Sequence, residues 1–171
     1  GLLHSMVAGM SLDNFVVRPQ RRWVEAWAQP DAWKRPTAEQ LAEVAAHLSG
    51  LPTAVRDALT ALHNAGLKLA VGSSSKNAAY ILERLDANRY FDAVCDGTMI
   101  AHSKPDPEVF TKAAAMVGLA PADCLVVEDA AAGLEAARAG GMDCAIVGTA
   151  PMPFEPTYHI QDVTKLPGTI L

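Results

Sequence analysis

The sequence predicts an α/β fold: a mainly parallel sheet covered by helices on both faces, preceded by a smaller helical segment. Three observations predict it. From residue 51 onward, short apolar runs of strand length alternate with helical patterns. Glycines close those patterns, at Gly66, Gly118 and Gly140-Gly141. The connections are short, and strand–helix alternation with short turns gives a parallel sheet.

The elements follow in order. Before Gly50-Leu51-Pro52 the chain holds three tryptophans, scattered prolines and an alanine-rich stretch. Residues 21–28 suit a short helix with Trp23 and Trp27 one turn apart. Thr37 and Gln40 form a capping box for a second helix through Leu41, Val44, Ala45 and Leu48, stopped at Gly50. Residues 1–50 are therefore assigned to a small helical unit, with the tryptophans as packing anchors or, alternatively, as lining for a substrate pocket. The sheet unit covers 51–171. Its expected helices are 53–64, 75–85, 106–116 and 131–139, and its expected strands 67–71, 91–95, 124–127 and 144–147.

Composition narrows the function. The chain has 171 residues, enough for one substantial core with an annex. It is 50% hydrophobic and 19% charged, as folded proteins are. No apolar run approaches the roughly 18 residues that a membrane span needs. The opening GLLHSMVAGM has no basic residues ahead of its apolar part, unlike a secretory signal. The net charge is −5 and no basic cluster exceeds Arg21-Arg22, which argues against nucleic acid as a partner. Cys95, Cys124 and Cys144 lie in apolar segments without a close CxxC pair, which suits buried thiols and a cytoplasmic location.

In parallel sheets, ligands bind beyond the carboxyl ends of the strands. Three loops lie there. Gly72-Ser73-Ser74-Ser75-Lys76-Asn77 offers hydroxyls and helix-start amides to a phosphate, or a serine cap to the next helix. Ser103-Lys104-Pro105-Asp106-Pro107 presents a lysine on a proline-stiffened segment, either aimed at an anion or solvated beside a helix start. Glu128-Asp129 directly follows an apolar strand. Carboxylates there need hydrogen bonds or a cation, and their oxygens suit Mg²⁺; read alone, they are an ordinary helix start. All three loops fall at one sheet edge, and that coincidence favours a joint site.

The stretches LAVGSSSKN (69–77), YFDAV (90–94), SKPDPEVF (103–110) and VVEDAAAGLEAARAGG (126–141), in this order and spacing, resemble the haloacid dehalogenase-like superfamily, nearest its β-phosphoglucomutase-like branch. The resemblance covers about two-thirds of the chain. It implies a Rossmannoid three-layer core with a partial helical cap, and Mg²⁺-dependent phosphoryl transfer through an aspartyl-phosphate. It implies that Ser73 binds the transferring phosphoryl group and that Lys104 neutralises charge between phosphate and nucleophile. Asp129 is then the direct Mg²⁺ ligand, and Glu128 a further ligand or its support. Ser74 and Asn77 shape the loop, while Lys76 and Asn77 face the substrate.

The family's first motif, DxD at the end of an N-terminal strand, occurs nowhere in these residues. The expectation is a core lacking that central strand, with the segment supplied by the parent protein or by a partner chain. A further alternative is that the cap-like segment rearranges to fill the gap. The expected function of the parent is a phosphatase acting on small phosphorylated metabolites, most simply a sugar phosphate, with these residues alone inactive. The alternatives are a phosphosugar mutase and a non-catalytic phosphate- or metal-binding remnant.

Overall fold

The computed structural model describes residues 5–8 and 50–171. Its six strands are β1 (Ser5–Ala8), β2 (Lys68–Gly72), β3 (Ala93–Cys95), β4 (Cys124–Glu128), β5 (Asp143–Val147) and β6 (Tyr158–Ile160). The α-helices of the described residues are α1 (Thr53–Asn64), α2 (Ala78–Arg84), α3 (Glu108–Met116), α4 (Ala131–Ala139) and α5 (Leu166–Ile170). The strands form one sheet in the order β3-β2-β1-β4-β5-β6, and every pairing is parallel.

Strand alternation divides the core into two layers around that sheet. Leu69, Val71, Leu125, Val127, Ala145 and Val147 pack on one face with Val55, Leu59 and Leu62 of α1, Ile81 and Leu82 of α2, and Leu166. Ala70, Cys124, Val126, Cys144 and Ile146 face the other way, against Val109 and Phe110 of α3 and Leu134 of α4. The strand period of two makes β2, β4 and β5 serve both cores. This is the expected three-layer arrangement.

Helix α1 starts where the sequence predicts. The Pro52 carbonyl accepts the Val55 and Arg56 amides at 3.0 and 3.1 Å, and Gly66 leaves the helix at φ +87°. Helix α2 starts three residues later than expected. Ser73 Oγ accepts the Ser75 N–H and Ser75 Oγ accepts the Asn77 N–H, each at 3.2 Å. These local side-chain bonds offer the backbone an alternative to the helical ladder, so regular helix begins only at Ala78. Strand β6 and helix α5 were not among the expected elements.

The central position, expected to be vacant, is occupied. Ser5–Ala8 pairs with β2 on one side (Ala8 opposite Val71) and with β4 on the other (Ala8 opposite Val127). The expectation of a core lacking that strand is corrected accordingly, and part of the segment assigned to a cap is a sheet strand. The physical reason is backbone pairing: without an intervening strand, facing donors and acceptors of β2 and β4 would be buried unsatisfied. The remaining expectations for 1–50, including the helices and the three tryptophans Trp23, Trp27 and Trp33, lie outside the described residues.

Candidate active site

Parallel pairing brings the carboxyl ends of β2, β3 and β4 to one edge, with the three predicted loops beyond them. The loop after β2 is built from its own hydroxyls through the two serine turns just described. The Ser75 and Asn77 amides are held within these turns, and α2 begins directly after the loop, at Ala78. The Ser73 N–H donates to the Cys95 carbonyl at 2.9 Å, and the Gly97 N–H donates to the Ser75 carbonyl at 3.0 Å. The loops after β2 and β3 are thereby joined. Ser74 Oγ is buried with no hydrogen-bond partner among the described residues. Lys76 is exposed and Asn77 half-buried.

The lysine loop is tied down by the first turn of α3. Glu108 Oε2 accepts the Ala101 and His102 amides at 3.0 and 2.8 Å, and Asp106 Oδ1 accepts the Glu108 N–H at 2.9 Å. Lys112 Nζ donates to Glu108 Oε1 at 2.6 Å and to the Met99 carbonyl at 2.8 Å. Lys112, followed by the two amides, pulls the Glu108 pKa down to about 2. The Lys104–Pro105 peptide is cis.

Lys104 points inward. Its ammonium pairs with Glu128 Oε1 and lies 5.0 Å from the Phe110 ring centroid, and only 16% of its side chain is exposed. Glu128 ends β4 and is almost wholly buried. Its Oε2 accepts the Asp129 N–H at 2.9 Å and the Ala130 N–H at 3.2 Å. Burial pushes the Glu128 pKa up, and the Lys104 charge and hydrogen bond oppose that shift. With Oε1 on Lys104 and Oε2 on two amides, Glu128 is a partner for lysine and loop. Of the two roles expected for Glu128, further ligand or support for the site, this geometry is that of support. Asp129, the next residue, is half-buried at the sheet edge.

Gly133 makes the Glu128 arrangement possible. A methyl group at Gly133 would lie 2.1 Å from Glu128 Cδ and 2.5 Å from Oε1. Gly133, Gly97 and the buried Asp96 are site residues that sequence reasoning missed. Asp96 Oδ1 accepts the Thr98 N–H at 2.8 Å and the Thr98 hydroxyl at 2.6 Å, shaping the turn after β3. Signals were present: Asp96-Gly97 is a turn dipeptide, and a glycine inside a helical pattern often marks close packing.

His102, Asp106 and Glu108 form a cluster, with ligand atoms within 4.8 Å of one another, that could coordinate a metal ion. Glu128 and Asp129 are not part of it. The cysteines are as the sequence predicts: Cys95, Cys124 and Cys144 are buried and none is in a disulfide. Burial, with Glu128 and Asp143 nearby, pushes the Cys144 thiol up to about 12, so it stays protonated.

An all-parallel sheet between two helical layers, with a hydroxyl loop, an inward lysine and an acidic pair at one edge, defines a class of α/β domain. Residues 12–141 match the profile of the haloacid dehalogenase-like hydrolases, and the chain belongs to that family. It is 46% identical over 90 residues to β-phosphoglucomutase of Bacillus subtilis (strain 168), covering 53% of this chain and 40% of that protein. It is 42% identical over 77 residues to fructose-1-phosphate phosphatase YqaB of Escherichia coli (strain K12), covering 45% of this chain and 41% of that protein. The matches thus span about two-fifths of these relatives' lengths. The crystal structure of a β-phosphoglucomutase from Clostridium difficile has the same fold, with a TM-score of 0.74 at 16% identity over 96% of this chain and 93% of that one. Among the described residues, no helix is long and apolar enough to cross a membrane.

Proposed function

We propose that this chain carries the phosphate- and metal-binding edge of a Mg²⁺-dependent phosphatase acting on small phosphorylated metabolites, sugar phosphates foremost. The observation that carries the reading is Lys104, half-buried and paired with Glu128 at the edge where the Ser73 loop opens. A lysine held inward by a carboxylate is already placed to face a phosphoryl oxygen, with little reorganisation needed. Ser73, with Ser74 and Asn77 shaping its loop, receives the phosphate, and Lys76 contacts the substrate from the exposed side.

Asp129 fits Mg²⁺ by its chemistry, as a half-buried residue whose carboxylate oxygens suit a hard cation, at the end of β4. When bound, the ion would supply charge compensation to the transferring phosphoryl group. The protein's own contribution is positional: Glu128 sets Lys104, and the serine turns set the loop.

These 171 residues contain no DxD pair, so a carboxylate nucleophile of that motif is not among the site residues. The chain by itself is expected to give no turnover. In the full-length protein, Asp129→Ala is expected to abolish most activity and its Mg²⁺ dependence; unchanged rates across a Mg²⁺ titration would overturn the assignment. The second reading, a phosphosugar mutase, is favoured by the stretch shared with the Bacillus subtilis relative. Phosphate release against isomerised sugar phosphate, measured on one panel of substrates, separates the two. Phosphate affinity without turnover in the full-length protein would instead indicate a non-catalytic binding protein.

A further inference from the structure

The turn after β3 presses directly on the serine loop, and Gly97 is the contact. A methyl group built at Gly97 would lie 2.2 Å from the Ser74 carbonyl oxygen, 2.9 Å from its carbon and 3.0 Å from the Lys76 nitrogen. All three are backbone atoms, so no side-chain rotation could relieve the overlap. Gly97 is not in the left-handed region, unlike Gly66, Gly118 and Gly141, which have open space around them. The demand for glycine here is therefore steric and comes from the neighbouring loop.

Neither side can retreat freely. The Ser73 N–H is bonded to Cys95, whose side chain is fully buried, and the Gly97 N–H is bonded to the Ser75 carbonyl. The turn itself is braced by Asp96, which is 6% exposed and holds both the amide and the hydroxyl of Thr98. We infer that Gly97 is a positioning residue: its missing side chain sets how deeply the loop 73–77 seats at the sheet edge, and so sets the loop's affinity for phosphate. The inference rests on the proposed reading of that loop as the phosphate site.

The test titrates inorganic phosphate into the 171-residue chain and follows the amide resonances of residues 73–77 by NMR. Four proteins are compared: the unaltered chain, Gly97→Ala, Thr98→Val and Gly168→Ala. Gly168 has no neighbour within 4 Å and serves as the control. Gly97→Ala is expected to weaken phosphate binding about tenfold or more, and Thr98→Val several-fold, with Gly168→Ala unchanged. Measured well below the unfolding temperature, a purely structural role would lower thermal stability and leave the dissociation constant in place. A folded Gly97→Ala chain that binds phosphate within about twofold of the unaltered one overturns the inference. If Gly97→Ala does not fold, Thr98→Val decides, and unchanged affinity there overturns it. Should the unaltered chain bind no phosphate, the phosphate reading of the loop fails. The positional claim is then judged by Gly97→Ala alone: unshifted Ser74, Ser75 and Lys76 amides overturn it.

Discussion

At the residue scale, Glu128 concentrates the site's physics. A carboxylate this deeply buried is costly unless each oxygen is matched, and here Lys104 and two amides match them. Gly133→Ala would force a methyl group into the Glu128 carboxyl carbon. It is expected to destabilise the chain by about 1–3 kcal/mol, as overpacking of a core does, and to lower turnover of the full-length protein. Urea unfolding alongside initial rates checks both. Lys104→Ala leaves a buried charge unpaired and is expected to cost turnover far more than Lys76→Ala, which acts on substrate affinity because Lys76 is exposed. A larger turnover loss at Lys76 would reverse that order. Glu108 supplies a pH prediction. Its folded pKa, about 2, lies below the ordinary glutamate value, so its contribution is complete above the unfolded pKa and is lost as pH falls toward 2. Glu108→Gln is expected to flatten the fall in stability between about pH 4.5 and 2, read from urea midpoints at each pH.

At the element scale, α3 does two jobs. Its first turn anchors the lysine loop through Glu108, and its buried face places Phe110 beneath the Lys104 ammonium. Phe110 is fully buried, so Phe110→Ala is expected to cost about 3–5 kcal/mol through lost transfer energy and the cavity left behind. It also removes the ring under Lys104, so the variant's loss of turnover should exceed that of an equally destabilising substitution distant from the site. Leu166→Ala at the start of α5 is a suitable comparison, since Leu166 is equally buried in the opposite core layer. Helix α2 illustrates the reverse relation, in which the loop controls the helix. Two serine turns delay its start, and the amides so diverted shape the loop that the proposed function needs.

At the scale of the whole molecule, the all-parallel sheet makes its centre a single point of dependence. β1 has four residues, yet it pairs along its whole length with both β2 and β4. Removing residues 1–8 would orphan backbone groups on both neighbours at about 1–3 kcal/mol for each buried group. The shortened chain is expected to lose cooperative unfolding or to self-associate. Size-exclusion chromatography and urea titration check this; an unchanged midpoint in a monomer would contradict the pairing.

The sequence by itself determined the class of fold and the elements of the sheet unit, because period-two and helical patterns with glycine stops are local properties. Helices 53–64 and 131–139 coincide with α1 and α4, and the four expected strands match β2 to β5 within two residues at each end. It also determined which three loops share an edge, since parallel strands place their carboxyl ends together. Tertiary structure alone decided the rest. Four residues near the start, Ser-Met-Val-Ala, carry no strand signal of their own, and Ser5–Ala8 becomes a strand through the pairing that β2 and β4 require. Likewise, nothing local tells Glu128 from Asp129. Only the fold, by setting Lys104 and Gly133 against the Glu128 carboxylate, distinguishes the two.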